Sequence, residues 1–381
     1  MNIAYFSKTR IPSGMANSIQ SMKVCAAMAH LSHSVTFFII TEKNAKGFSP
    51  DEIFDLYNIQ KCFEIHEITI PETKGSRLRY IWSIAITISQ VAKTLFRGKF
   101  DLVIGRDVCA CWVATIFRVR TTYESHAPVW LGSLERFLFR LCIGSDYLTK
   151  LVVISDSLKK AYLDRYPRLD QKIQVAPDGA EILQGKIERA TLQGHSARLN
   201  VGYVGNLYEG KGVEVIEAIA SDMPEVDFHI IGGDSESIVI WKKRISCDNV
   251  FFYGFITQSE LPAYYEALDV CLLPNQENVF GSGARSSKKP VNIGSFTSPL
   301  KLFEYMAHGK AIVASDLPVL REVLNDQLAI LVRPRDFNGW KEAIRKFCSA
   351  SKRKQLGAAA RRELEAKYSW KTRMENIIES S

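Results

Sequence analysis

The 381-residue sequence lacks most of the features that identify a protein at sight. Its eight cysteines include no CxxC pair and no Cys/His cluster with metal-ligand spacing. That excludes a zinc finger or a small disulfide scaffold and reads as a reduced, cytosolic chain. No strand–GxGxxG–helix unit is present, which argues against a dehydrogenase. No short repeat, low-complexity segment or basic–aromatic array of the nucleic-acid-binding kind occurs. No run reaches the roughly 20 apolar residues that cross a bilayer. The start, MNIAYFSKTR, enters an apolar strand-like run without a charged-then-apolar secretion signal. The expectation is a soluble cytoplasmic protein.

What is present is ordinary globular composition, 46% hydrophobic, 24% charged and 10% aromatic. The length suits two domains, each burying its own core. The formal charge is +8, from 49 Lys+Arg against 41 Asp+Glu. Residues 1–182 hold 23 basic and 17 acidic residues and the remainder 26 and 24, so the excess lies in the first half. Such an excess suits an anionic acceptor or lipid surface.

Apolar runs alternate with helical patterns, which predicts an α/β chain with parallel sheets. Strands are expected at Asn2–Phe6, Ser34–Ile40, Leu102–Ile104, Thr121–Tyr123, Leu151–Ile154 and Ile173–Val175. After a polar linker, Leu183–Arg198, a second series follows at Asn200–Val204, Asp227–Ile231, Val250–Phe252, Val270–Leu273, Ala311–Ala314 and Ala329–Leu331. A first domain over 1–182 and a second from 183 onward result. Asn275–Ser298, rich in Gly, Ser, Asn and Lys, reads as a long functional loop. The uncharged run Tyr80–Ala92 predicts a helix packed through Ile81, Ile84, Ala85, Ile88, Ala92 and Leu95. Trp82 and Ile86 lie off that face, and Arg77, Arg79, Lys93 and Arg97 flank it, so contact with a membrane surface is the competing reading.

In open parallel sheets ligands bind beyond the carboxyl ends of the strands. After the first strand, SKTRIPSGMANSIQ places Gly14 before a helix, where bare backbone can approach an anion. In VGYVGNLYEGKGVEVIEA a strand ends at Gly205 and a helix begins near Val213. Lys211, between Gly210 and Gly212, suits a diphosphate. TSPLKLFEYMAHGK predicts a short helix over 299–308, with Ser298 as N-cap, Pro299 at the first position and Gly309 at its end. Leu300, Phe303 and Ala307 share a packing face, while Lys301 and Glu304 share another. Glu304 could accept both hydroxyls of a ribose; the plain alternative is a surface Lys–Glu pair. In TTYESHAP, His126 follows a strand, where imidazole can donate a hydrogen bond or move a proton. Arg106 falls one strand away.

Together, SPLKLFEYMAHGKAIVASDLP, VGYVGNLYEGKGVEVIEA and VAPDGAE resemble, in order and spacing, the retaining GT-B glycosyltransferases of family 4. The ending YSWKTRMENI is similar to the tail that crosses back to the first domain there. The resemblance implies two Rossmann-like domains facing across a cleft, an acceptor domain at 1–182, a nucleotide-sugar domain at 183–364 and a returning helix at 365–381. It implies that Glu304 binds the donor ribose, Lys211 the diphosphate, and Gly205 and Gly14 approach the phosphates. His126 lies by the reacting sugar and Phe255 and Ile256 by the base, with Asn206, Ser298, Pro299, Leu300 and Lys301 lining the donor and Arg106 the acceptor. No cofactor is implied: a UDP- or GDP-sugar is a substrate, the acceptor is a glycan or lipid-linked, and the setting is cell-surface polysaccharide assembly. The chain lacks a DxD pair, and no metal site is expected.

Two departures stand out. Many members have Arg where this chain has Asn206, and an acid where it has Phe296; Lys301 or Arg285 could restore the positive charge. The rival expectations are a non-catalytic homologue regulating a partner and a sugar-nucleotide 2-epimerase. The epimerase would need paired carboxylates, and Asp107 and Glu124 are unmatched.

Overall fold

The computed structural model describes residues 1–42, 50–71, 77–183, 185–279, 292 and 294–379. The chain divides into two compact units, residues 1–177 with 370–381, and residues 178–369.

The first unit is built on seven parallel strands: β1 Asn2–Lys8, β2 Ser34–Glu42, β3 Glu64–Ile70, β4 Leu102–Gly105, β5 Arg120–Ser125, β6 Leu148–Val153 and β7 Ile173–Val175. Their order is β3-β2-β1-β4-β5-β6-β7. The helices are α1 Ala16–His30, α2 Pro50–Leu56, α3 Arg77–Arg97, α4 Val108–Ile116, α5 Ser133–Ile143 and α6 Asp156–Arg165. Ile3–Phe6 and Leu102–Ile104 are wholly buried, as expected of central parallel strands covered on both faces.

The second unit has β8 Leu199–Val204, β9 Val226–Ile231, β10 Val250–Gly254, β11 Val270–Leu273, β12 Ala311–Ser315 and β13 Ile330–Val332. All are parallel, in the order β10-β9-β8-β11-β12-β13. Its helices are α7 Val213–Ile219, α8 Ser235–Arg244, α9 Leu261–Ala267, α10 Leu300–Ala307, α11 Pro318–Arg321, α12 Phe337–Lys346 and α13 Ala350–Glu363. The last helix, α14 Trp370–Glu379, packs on α1 in the first unit. Each sheet reverses its winding once, at β1/β4 and at β8/β11. Ligand crevices form beyond the strand ends at such points.

All twelve expected strands form, several of them one to three residues longer. The thirteenth, β3, has no counterpart in the sequence reading. It is an edge strand with only Ile68 and Ile70 buried, so its charged residues hide the apolar alternation.

Helix α3 corrects the expected stripe. Ser83, Thr87, Val91 and Leu95 are the buried positions, while Ile81 and Ala85 are exposed. The hydroxyls of Ser83 and Thr87 donate to Tyr80 O and Ser83 O, at 2.8 and 2.9 Å. Satisfied within the helix, they tolerate burial. The apolar Leu78, Trp82 and Phe96, at 78%, 63% and 83% exposure, are left facing outward.

Candidate functional site

In the second unit, the loop after β8 leaves the sheet at the β8/β11 switch point. Gly205 has φ +136°, and a Cβ there would lie 3.5 Å from Lys301 Nζ. Gly210 and Gly212 have φ of +83° and +99°, and a Cβ on either would lie 2.0 Å from a carbonyl oxygen, of Asn278 and Pro274 respectively. Only glycine fits such a backbone. The loop is therefore seated directly on the chain leaving β11, and α7 starts at Val213, where the sequence placed it.

Helix α10 is fixed against the same two strands. It is anchored by buried Leu302, Phe303, Met306 and Ala307. Tyr305 OH donates to Leu272 O at 3.2 Å and accepts from Val204 N at 3.1 Å, pinning the helix to β11 and β8. The packing face differs from the expected one, since Leu300 is only part-buried. The cap differs too. The helix starts at Leu300 with Pro299 as N-cap residue and no side-chain cap. Ser298 is spent elsewhere, its Oγ accepting from Asp178 N at 2.9 Å. Gly309 ends the helix with φ +56°, as expected.

Lys301 and Glu304 are not a surface pair. Glu304 Oε2 accepts a 2.7 Å hydrogen bond from Tyr265 OH. Tyr265, in α9, is buried, and burial together with the Glu304 charge pushes its phenol well up, so it remains a donor. Lys301 Nζ is sealed from solvent, has no hydrogen-bond partner among the described residues, and lies 3.8 Å from the centroid of the Tyr203 ring. Burial first, then the like charge of Lys211, pull its pKa well below 10.5, with Glu304 opposing. Burial also lowers Lys211. Two neighbouring lysines, one with its side-chain nitrogen sealed and short of acceptors among the described residues, are a ready site for an anion.

The buried Asn275 amide, beyond β11, and Ser315 Oγ, at the end of β12, also lack partners among the described residues. Neither Tyr265 nor Asn275 was found from the sequence. Tyr265 lies in a commonplace LPAYYEA run, and Asn275 carries no motif. Phe255, beyond β10, is 60% exposed at the same sheet edge, whereas Ile256 packs on the core. Asn206 contributes its carbonyl to Tyr203 OH at 2.6 Å. Phe296 stands in the short turn Gly294–Phe296. Arg285 lies outside the described residues.

In the first unit, Gly14 is exposed in the β1–α1 loop, two residues before Ala16 opens α1. Tyr57 OH holds this loop by accepting from Ser13 N at 2.7 Å and donating to Ser13 O at 2.8 Å. His126, beyond β5, is 19% exposed and bonds Glu124 through Nε2 at 2.6 Å. Arg106 Nη1 donates to Gln20 Oε1 at 2.8 Å, which occupies part of the guanidinium expected at an acceptor. Among the described residues no group of three or more His, Cys, Asp or Glu side chains could hold a metal ion. No helix among them is long and apolar enough to cross a membrane.

Comparison with known proteins now bears on the class. Residues 198–350, most of the second unit, match the family described as "Glycosyl transferases group 1". An uncharacterized 41.2 kDa protein in the cps region of Klebsiella pneumoniae is 27% identical over 315 residues, which are 72% of this chain and 81% of that protein. Two solved structures share the architecture. The lipopolysaccharide outer core galactosyltransferase WaaB superimposes with a TM-score of 0.66 at 17% identity, over 100% of this chain and 99% of its own. Anabaena HepE in complex with UDP-glucose gives a TM-score of 0.67 at 15% identity, over 100% and 99%. The two Rossmann-like units are those of the GT-B fold, and the second carries the region similar to group 1 glycosyltransferases.

Proposed function

We propose that this protein is a retaining glycosyltransferase. It moves a sugar from a UDP- or GDP-sugar to a glycan or lipid-linked acceptor in cell-surface polysaccharide assembly. The observation that carries the reading is the sealed Lys301 ammonium, unpaired among the described residues, beside Gly205 and within the field of Lys211. A diphosphate supplies the acceptors that this ammonium lacks. Lys301 thereby takes the place of the arginine that Asn206 does not provide. Glu304, oriented by Tyr265, accepts the ribose hydroxyls, and Phe255 packs on the base.

As the glycosidic bond breaks, charge develops on the leaving diphosphate. Lys211, Lys301 and the N-terminus of α10 stabilise it where it forms. His126 orients the reacting sugar or acceptor and forms no covalent bond to it. The UDP-glucose bound to HepE, the galactosyl transfer named for WaaB and the cps-region relative favour this donor class and setting.

The test is thermal denaturation with UDP, GDP, dTDP, CMP and NAD, on the wild type and on Glu304→Ala. A ligand of the folded state raises the midpoint by mass action, about 2.7 kcal/mol at one hundred times Kd. One diphosphate should raise it in the wild type and not in Glu304→Ala, which would also name the base. No shift with any of them would move a non-catalytic homologue to first place.

A peripheral membrane contact belongs to the same reading. The outward face of α3 carries Leu78, Ile81 and Trp82 among exposed Arg79, Lys93 and Arg97, and Phe137 and Leu141 of α5 are also exposed. Apolar side chains ringed by basic ones suit an anionic bilayer surface. The wild type should float with anionic liposomes at low salt, and Trp82→Ser should float less. A wild type that stays at the bottom overturns the contact.

A further inference from the structure

A carboxylate to which the transfer step assigns no role lies at the centre of the first unit. Glu124, in β5, is 1% exposed. Its Oε1 takes three hydrogen bonds: 2.6 Å from His126 Nε2, 2.7 Å from Gln20 Nε2 and 2.9 Å from Arg373 Nη2. An ionised carboxylate only accepts, so all three partners must donate, and Nε2 of His126 carries a proton.

Two of these donors are themselves held. Arg106, just beyond β4, donates to the Gln20 carbonyl and thereby aims the Gln20 amide at Glu124. The Arg373 side chain, from α14, is 2% exposed. Its Nε donates to Pro177 O at 2.8 Å and its Nη2 also to Ala176 O at 3.2 Å. Residues from α1, the β4 and β5 exits and the terminal helix thus converge on one carboxylate, although Gln20 and Arg373 lie near opposite ends of the chain.

We propose that Glu124 is a positioning residue that fixes the ring and tautomer of His126, and that Arg373 in turn fixes Glu124. The inference rests on the reading of His126 as the residue at the reacting sugar. Its physical content is that an imidazole free to rotate and to exchange tautomers presents the wrong atom part of the time. One pinned through Nε2 by a charged, rigid carboxylate does not.

The electrostatics agree. Burial alone would raise the Glu124 pKa. The Arg373 charge, then the His126 hydrogen bond and charge, then Arg106, outweigh it and hold the carboxyl well below the usual range. The other titratable groups coupled to it, Tyr5 of β1 and Cys25 of α1, are pushed well up by burial and stay neutral. Arg373 thus keeps Glu124 ionised, and the terminal helix becomes part of the site through one side chain.

The test uses the full chain with labelled histidines. Imidazole nitrogen NMR should show His126 as a single tautomer protonated at Nε2 in the wild type. In Glu124→Gln and in Arg373→Lys it should show an exchanging mixture. Glu124→Asp keeps the charge but withdraws it by a methylene, and should show the same loss; it serves if the glutamine variant does not fold. With the donor named by thermal shift, Glu124→Gln should lower kcat about 10–100-fold with donor KM little changed. In a His126→Asn background it should cost nothing further, because the two act as a unit.

An unchanged tautomer in folded Glu124→Gln overturns the proposal, as does a rate loss that adds to that of His126→Asn. The tautomer measurement needs no donor. Failure to find one would count against the transferase reading and leave the Glu124 result to stand or fall separately.

Discussion

Replacing Lys301 with methionine should raise the stability of the ligand-free protein while weakening its grip on nucleoside diphosphates. Its ammonium is shut away from solvent, with the Tyr203 ring beside it and the like charge of Lys211 acting on it. A cation over an aromatic face recovers part of the lost hydration but not all of it. Methionine fills a similar volume without the charge, and the expected gain is about 1–3 kcal/mol. Removing a charged donor to phosphate should cost about 10–100-fold in diphosphate affinity. Calorimetry and thermal denaturation read the two effects on one sample. A variant both less stable and equally competent to bind would end the case for Lys301.

The sign of the pH dependence follows. Folding pulls the Lys301 pKa well below 10.5, so between the depressed and ordinary values the unfolded chain binds more protons. Stability therefore rises with pH across that window, and Lys301→Met should flatten the rise. A bound diphosphate favours the charged lysine, so binding takes up protons in the same window and weakens as pH rises through it. Binding heats measured in two buffers of different ionisation enthalpy would reveal the uptake.

The largest structural effect is expected at Gly212. An alanine there must hold φ near +99° and place its Cβ 2.0 Å from Pro274 O, a backbone atom that cannot swing aside. The conformational cost alone is about 1–3 kcal/mol, and the displaced backbone brings the expected loss to at least about 3 kcal/mol. For a unit of this size that lowers the thermal midpoint by roughly 6–12 °C. Gly14→Ala is the contrast. Gly14 is exposed, so the stability change there should be less than about 0.5 kcal/mol. A Gly212→Ala protein as stable as the wild type would show that the loop is not seated on the β11 exit.

Much of the molecule is legible in its amino-acid order. Apolar runs mark twelve of the thirteen strands among the described residues, and the inner ones are apolar because they are covered on both faces. β3 escapes because Glu64, His66 and Glu67 break its alternation and only Ile68 and Ile70 are buried. The α3 helix is legible and its buried side is not. Periodicity counts apolar residues and has no means of knowing that Ser83 and Thr87 satisfy their own hydroxyls. The Ser298 cap fails for a related reason: a distant backbone amide, that of Asp178, claims its Oγ.

The site divides along the same line. Gly205, Gly210, Lys211 and Gly212 can be placed after a strand, and Glu304 on a short helix, from the residues around them. Glycine spacing and helix caps are local, set by φ angles and hydrogen bonds a few positions apart. That the Lys301 nitrogen is sealed from solvent and is not half of a surface pair follows only from the packing of the folded chain. The same packing brings Tyr265 to Glu304, and Gln20, Arg106 and Arg373 to Glu124. Burial and long-range hydrogen bonding depend on which segments pack together, and no property of a residue or its immediate neighbours in sequence encodes that.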